Sequence, residues 1–527
     1  MTPPLLNACS SIAQETPPRR FNMAAYCIAP ATATRPNAQA LVVVHDPAAT
    51  APAEVWTFAQ LEEAVLRIAS GLKAAGLAPG ARILIRLENT STYALVFFGA
   101  IAGGFVPVPT SPQLTEPEVR FLLDTAGVEA IAVGESLGLK TLPGGVRAFA
   151  DDEIAGMIAR GTRAPWADTA TDDAAFLVYT SGTTARPKGV LHAQRSAFGR
   201  RPMYQGWYGI GPNDRMLHAG AFNWTYTLGT GLTDPWANGA TAIIYTGEKD
   251  PALWPRIIAQ TDATIFAATP GLYRQILKYA QPTRADFGHL RHGLVAGETP
   301  PPGLFEEWTS ETGTELYEAL GMSEISTYVS SSPSVPRKPG TVGKPQPGRR
   351  IAILPLEGGT EPLGPGKEGL LAVHRSDPGL MLGYWNRPRE EAQVYRDEWF
   401  IGGDLAAFDE DGYVIHLGRT NDLMNALGYR VSPQEVEAVL REHPHVGEVA
   451  CAEVRVRDDV SVIAAFIVPA EGVNPDTAHI QRFAAERLAP YKRPREIVLV
   501  DTLPRTANGK LMRSALTLPS GPQTAKT

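Results

Sequence analysis

The chain has 527 residues, 44% hydrophobic and 20% charged, which is material for several globular cores, since an average domain needs about 150 residues. A lone small binding module and a disordered chain are both excluded. The net charge of −7 gives no electrostatic reason to expect nucleic acid as a partner. Cys9, Cys27 and Cys451 are too few and too scattered for a disulfide framework or a cysteine zinc site, so a reducing cytoplasm is the expected compartment.

The first 20 residues lack a basic start and read as a loose leader rather than a secretory signal. Thr57-Phe58-Ala59-Gln60 has the spacing of a capping box, and Leu61, Val65, Ile68 and Leu72 follow at helical intervals until Gly76. Ile83 to Leu87 predicts a strand, Thr92 to Ala102 an apolar helix and Phe105 to Val108 a second strand, the order of a parallel α/β layer. Similar runs recur at Ile131 to Val133, Phe176 to Tyr179, Ala242 to Tyr245 and Thr264 to Ala267. No stretch reaches the roughly 18 consecutive apolar residues of a membrane span.

Past residue 420 the texture changes. Ser432-Pro433-Gln434-Glu435 predicts a capping box with proline at the first helical position, opening a helix through Leu440. Strands near 447–456 and 461–468, a helix from Asp476 to Leu488 and a strand at Ile497 to Val500 complete a small unit. The expected fold class is α/β: a large multi-subdomain N-terminal α/β domain with parallel-type sheets, over residues 21–420, and a small mobile C-terminal α+β domain over 421–527.

The stretch Tyr179 to Val190 gathers four hydroxyl residues, two glycines and Lys188 into a short loop after a strand. Successive backbone N–H groups, hydroxyls and an ammonium can wrap a polyphosphate. From residue types alone a polar surface turn is the simpler reading, and Pro187 before Lys188 departs from the Walker pattern. Taken with four further motifs, however, the loop resembles the phosphate loop of the adenylate-forming superfamily, which includes acyl-CoA synthetases, luciferases and peptide-synthetase adenylation domains. Those motifs are Leu320-Gly321-Met322-Ser323-Glu324, Trp399 to Asp404, Gly418 to Asp422 and Pro504 to Arg513, in the family's order.

The resemblance implies an ATP-dependent ligase that joins a carboxylate to AMP with loss of pyrophosphate and then passes the acyl group to a thiol. It assigns Thr180, Ser181, Gly182, Thr183, Thr184 and Lys188 to the phosphates and Glu324 to magnesium and catalysis. Gly297, Glu298, Glu318, Ala319, Leu320 and Ser323 go to the nucleotide, and Asp404 and Arg419 to its ribose. Lys510 becomes the adenylation catalyst, with a hinge near Asn421, and Gly428, Tyr429 and Arg430 meet coenzyme A. The acyl pocket is expected from Phe222, Asn223, Trp224, Ala296, Gly321 and Met322: small residues leave volume and the two aromatics offer flat walls for an aromatic, alicyclic or medium-chain acid. Gly297-Glu298 and Asp234-Pro235-Trp236 look more like medium-chain and benzoate-type CoA ligases than luciferases. A stand-alone enzyme loading a carrier protein and a non-catalytic homologue are the alternatives, and the assembly is expected to be a monomer or homodimer.

The chain departs from the family at Ala185, where a third glycine is usual, at Leu320 in place of an aromatic, at Ser323 in place of threonine and at Asn421 in the hinge. Gly364 to Gly369 matches a dinucleotide glycine string but runs into the strand-like Leu370 to Val373, which contradicts that reading. His289 with His292, and His443 with His445, lack a third ligand at metal-site spacing and read as surface or capping residues.

Overall fold

The computed structural model describes residues 16–180, 187–301, 303–422, 424–426, 429–457, 460–473, 475–505 and 511–518; for 421, 425, 426, 429, 430, 457, 460, 461 and 491 it describes the backbone. The chain forms two units, Met1–Ile351 with Val373–Phe400 and Ala352–Ala372 with Ile401–Thr527.

In the first unit the capping box closes as its spacing predicts. The Gln60 N–H donates to Thr57 Oγ1 at 3.3 Å, and the Thr57 N–H donates to Gln60 Oε1 at 2.9 Å, which satisfies orphan donors at the start of helix Phe58–Ala74. Leu61, Val65, Ile68 and Leu72 are buried on one face of that helix. It packs on helix Ser91–Ala102, which is buried on every side but Thr92 and is accordingly apolar all round. Arg82–Arg86 lies inside a four-stranded parallel sheet with Val106–Pro109, Ala130–Val133 and Arg147–Ala150.

A nine-stranded sheet is the largest among the described residues. Its strands run, in spatial order, Lys344–Pro345, Ser326–Ser330, Glu315–Met322, His292–Ala296, Ile265–Ala268, Arg215–His218, Thr241–Tyr245, Gln39–Val44 and Glu54–Thr57. The middle six are parallel to one another. Gln39–Val44 shows why its sequence is an unbroken apolar run: Leu41 and Val43 enter one core while Val42 and Val44 enter another. Ala267 stands beside His218, Ala268 beside Val295 and Ala296 beside Ala319. The segments that follow these residues therefore emerge together at the carboxyl ends of parallel strands, the edge at which open α/β sheets bind ligands.

In the second unit Val446–Arg457, Val460–Pro469 and Glu496–Leu499 make a three-stranded sheet. Helices Pro433–Arg441 and Thr477–Arg487 cover one face, where Val436, Leu440, Ile480 and Ala484 share a core with Val449, Cys451, Ile463 and Ile467. The helix at 433 starts where proline predicts, but the Ser432 capping box does not form. The Ser432 hydroxyl donates to the Leu417 carbonyl instead, and Glu435, which would complete the box, is drawn to the Lys492 ammonium. Cys27 and Cys451 are buried free thiols. Among the described residues no helix is long and apolar enough to cross a membrane.

Candidate active site

The loop assigned to phosphate is the connection of a β-hairpin: Ala174–Thr180 pairs antiparallel with Lys188–Ala193, and Thr180 stands directly across from Lys188. Ser181, Gly182, Thr183 and Thr184, with Ala185, lie outside the described residues. The Lys188 ammonium sits 4.5 Å from the centre of the Tyr384 ring and 4.0 Å from Glu390 Oε2. Tyr384 belongs to a two-residue strand that pairs with the same hairpin opposite Val190. Its hydroxyl donates to Glu324 Oε1 at 2.7 Å.

One phenol thus joins the hairpin cation to the acidic end of the Leu320–Glu324 motif, and Tyr384 is a residue that sequence reasoning missed. So is His192. Its ring is stacked on Phe176 at 4.5 Å, and its Nε2 lies 2.9 Å from the Ser323 carbonyl. Burial pushes this imidazole down to about 4. The ring is therefore neutral at pH 7, and the tautomer that serves the contact carries its proton on Nε2 and holds the turn before Glu324. With Oε1 engaged by Tyr384, Glu324 Oε2 has no hydrogen-bond partner among the described residues and can take a cation. A half-buried carboxylate tied through Tyr384 to the hairpin of Lys188 suits magnesium, which takes one or two carboxylates and completes its coordination with phosphate oxygens and water.

Tyr384→Phe keeps the ring under Lys188 and removes the bond to Glu324. A hydrogen bond to a charged group contributes about 1.5–3 kcal/mol, so on the roles that the resemblance implies for Glu324, kcat/KM for ATP is expected to fall about 10- to 100-fold, with more magnesium needed for half-maximal rate. Steady-state kinetics across a magnesium series measures both, and an unchanged magnesium dependence would contradict this role.

At the carboxyl edge of the large sheet, His218 is buried, accepts the Gly220 N–H on Nδ1 at 2.9 Å and meets the Tyr226 ring edge-on at 4.4 Å. Burial pushes it down to about 3, so the neutral ring carries its proton on Nε2, which is buried and has no hydrogen-bond partner among the described residues. Phe222 is core: its ring lies 5.6 Å from that of Tyr93, and its N–H donates to Asn89 Oδ1 at 2.8 Å. Asn223 and Trp224 are half-buried. Trp224 and Gly297 are brought together, since a Cβ on Gly297 would stand 4.0 Å from Trp224 Cζ3. Gly297, at φ +103°, follows the buried Ala296 in a conformation that favours glycine.

Gly321 lets the Glu315–Met322 and Ser326–Ser330 strands close, because a Cβ there would fall 2.5 Å from the Ser326 carbonyl oxygen. Leu320 pairs with Val329, and Met322, which pairs with Ser326, is half-buried. Glu298 Oε1 accepts the Gly271 N–H at 3.2 Å, placing a carboxylate at the N-terminus of helix Pro270–Ala280.

Glu318 is pushed up to about 8 by burial, with Arg337 pulling it back. Between the usual carboxylate range and pH 8 the native state therefore holds a proton that the unfolded chain releases, so stability falls as pH rises through that window and levels off above it. Glu318→Gln is expected to remove this slope from the melting temperature between pH 5 and pH 8; a variant with the wild-type slope would contradict it.

Arg200 and Asp234 form a buried bidentate pair at 2.8 and 2.6 Å, Tyr208 Oη donates to Asp234 at 2.8 Å, and Arg200 also bonds Ser326 Oγ. The Arg200 guanidinium is thus neutralised within the core.

In the second unit Asp404 is buried and stands across from Arg419 on paired strands, with Arg419 Nε and His416 Nε2 each 3.2 Å from Asp404 Oδ1. The two residues assigned to ribose are therefore neighbours, and His416 is a partner that the sequence reading did not include. Asn421 lies in the single turn Thr420–Asp422. Tyr429 and Arg430 belong to strand Tyr429–Val431, paired with Met424–Ala426. Gly428 and Lys510 lie outside the described residues.

Comparison with known proteins accords with this geometry. The family model of the AMP-binding enzymes matches residues 29–385, and that of their C-terminal domain matches residues 435–510. The chain is 29% identical to 3-hydroxybenzoate–CoA ligase of Aromatoleum sp. (strain CIB), over 91% of this chain and 94% of that one. It is 31% identical to benzoate–CoA ligase of Thauera aromatica, over 88% and 90%. A solved benzoate CoA ligase from Burkholderia xenovorans LB400 superposes with a TM-score of 0.82 at 29% identity, over 94% and 99%. The chain belongs to the AMP-binding enzymes, the adenylate-forming superfamily, in its acyl-CoA synthetase branch. It is an AMP-forming acid–thiol ligase that uses ATP and coenzyme A.

Proposed function

We propose that this ligase activates an aromatic monocarboxylic acid of the benzoate and hydroxybenzoate class, with alicyclic and medium-chain acids as weaker substrates. The observation that carries the reading is Trp224 set against Gly297 at the carboxyl ends of the parallel strands, a flat apolar wall beside a position without a side chain. The ring acids named for two relatives support it. So does the engagement of Arg200 by Asp234, which leaves a second substrate carboxylate without a partner there.

In the first half-reaction a carboxylate oxygen attacks the α-phosphorus of ATP, the bond to the β-phosphate oxygen breaks, and pyrophosphate leaves with the electron pair. The hairpin loop through Lys188 binds the phosphates, Asp404 accepts from the ribose hydroxyls with Arg419 beside it, and Lys510 stabilises charge that grows in the transition state. Magnesium held by Glu324 supplies charge neutralisation on the phosphates when bound. In the second half-reaction the CoA thiolate attacks the acyl carbon and AMP leaves, the thiol proton passing to solvent. Gly428, Tyr429 and Arg430 belong to this step, with Asn421 as the pivot between the two. The enzyme works in the cytoplasm as a monomer or homodimer.

The test is kcat/KM for benzoate, 3-hydroxybenzoate, cyclohexane carboxylate and hexanoate, in the wild type and in Trp224→Ala. The reading expects the ring acids to lead and the variant to lose that preference. Hexanoate leading in both proteins would overturn it.

A further inference from the structure

His443 and His445, set aside as metal ligands for want of a third, acquire one in the structure. His479, on helix Thr477–Arg487, brings its Nδ1 to 3.2 Å from His443 Nε2. One ring nitrogen from each of the three histidines lies within 4.8 Å of the others. His443 is buried, His445 half-buried and His479 exposed, so the cluster has a closed back and an open front. The rings meet edge to face at centroid separations of 4.8, 5.0 and 5.8 Å rather than stacking.

Hydrogen bonding alone does not satisfy this cluster. His443 Nδ1 accepts the His445 backbone N–H at 3.1 Å, which puts the proton of the neutral His443 ring on Nε2, facing His479. His445 Nδ1 remains buried with no hydrogen-bond partner among the described residues. Three imidazoles with no carboxylate among them are a donor set for borderline metal ions rather than for magnesium or calcium.

We propose that His443, His445 and His479 bind a divalent transition metal ion such as zinc, nickel or copper, with water in the remaining position. Zinc–nitrogen bonds of about 2.0–2.1 Å in a tetrahedron set ligand nitrogens about 3.3 Å apart. The His443–His479 pair already has this spacing at 3.2 Å. The wider contacts close by rotation of the exposed His479 and half-buried His445 side chains. On binding, the metal takes the place of the His443 Nε2 proton, that proton moves to Nδ1, and the His445 amide gives up its acceptor. Arg487, on the same helix as His479, is the cation that acts on His443, and its charge is partly met by Glu486 at 3.1 Å and by the Phe483 ring, over which it lies at 3.7 Å. The bound ion ties helix Thr477–Arg487 to the turn that enters strand Val446–Arg457, so it acts on the stability of this unit, whatever acid the enzyme takes.

The experiment uses the untagged full chain, stripped with chelator, in calorimetric titrations with zinc chloride and nickel chloride and in thermal melts with and without the metal. The wild type is expected to take up one equivalent saturably and to melt at a higher temperature with metal. His479→Ala removes an exposed side chain and preserves folding; it and His445→Ala are expected to weaken binding at least about tenfold and to abolish the thermal shift. Absence of saturable binding in the wild type, or wild-type affinity in both variants, would overturn the proposal.

Discussion

Lys510→Ala is expected to lower acid-dependent pyrophosphate release about 10²- to 10³-fold, the usual cost of removing one preorganised group that meets charge developing in the transition state. The KM for ATP should change little, because the proposed reading gives the nucleotide other partners in the hairpin, Asp404 and Arg419. Thioester formation from pre-made acyl-adenylate should stay within a few-fold of wild type, since the role proposed for Lys510 lies in the attack on the α-phosphorus and the loss of pyrophosphate, a step that the pre-made adenylate bypasses. Single-turnover measurements of the two halves separate these outcomes. Equal loss in both would mean that Lys510 supports the fold of its domain rather than the chemistry of adenylation.

The second large effect is on stability. Asp234 is fully buried and accepts from Arg200 Nε, Arg200 Nη2 and Tyr208 Oη. Asp234→Asn leaves a buried guanidinium without its counter-charge, a change that costs about 3–5 kcal/mol in comparable cores. Arg200→Leu combined with Asp234→Asn should recover part of that loss, because no unpaired ion remains. Denaturant melts of the three variants test this, and a loss in the single variant below about 1 kcal/mol, the range of exposed pairs, would contradict it.

Much of the fold is legible where local chemistry is self-contained. The Thr57 box, the all-apolar 92–102 helix and the β-prone runs at 83, 131, 176 and 242 each carry their signal within a few residues and fold as read. The Ser432 box fails because its outcome depends on Leu417 and Lys492, 15 and 57 residues away from Ser432 and Glu435 respectively. The site divides the same way. Glu324, Lys188, Asp404 and Arg419 stand out through contiguous motifs, whereas Tyr384, His192 and His416 gain their roles from contacts across 60, 131 and 12 residues. Nothing in the local sequence around those three residues marks them. The histidine cluster is the clearest example, because His443 and His445 look incomplete until folding delivers His479.

The measurement that bears most directly on the central claim is mass-spectrometric product analysis of the wild type with ATP, magnesium, coenzyme A and benzoate or 3-hydroxybenzoate, beside Lys510→Ala. The predicted result is the aromatic acyl-CoA thioester with one AMP and one pyrophosphate per turnover, and almost none from the variant. Pyrophosphate without a CoA thioester would instead indicate a carrier-protein acceptor, and ATP consumption that is independent of acid or of Lys510 would contradict the account.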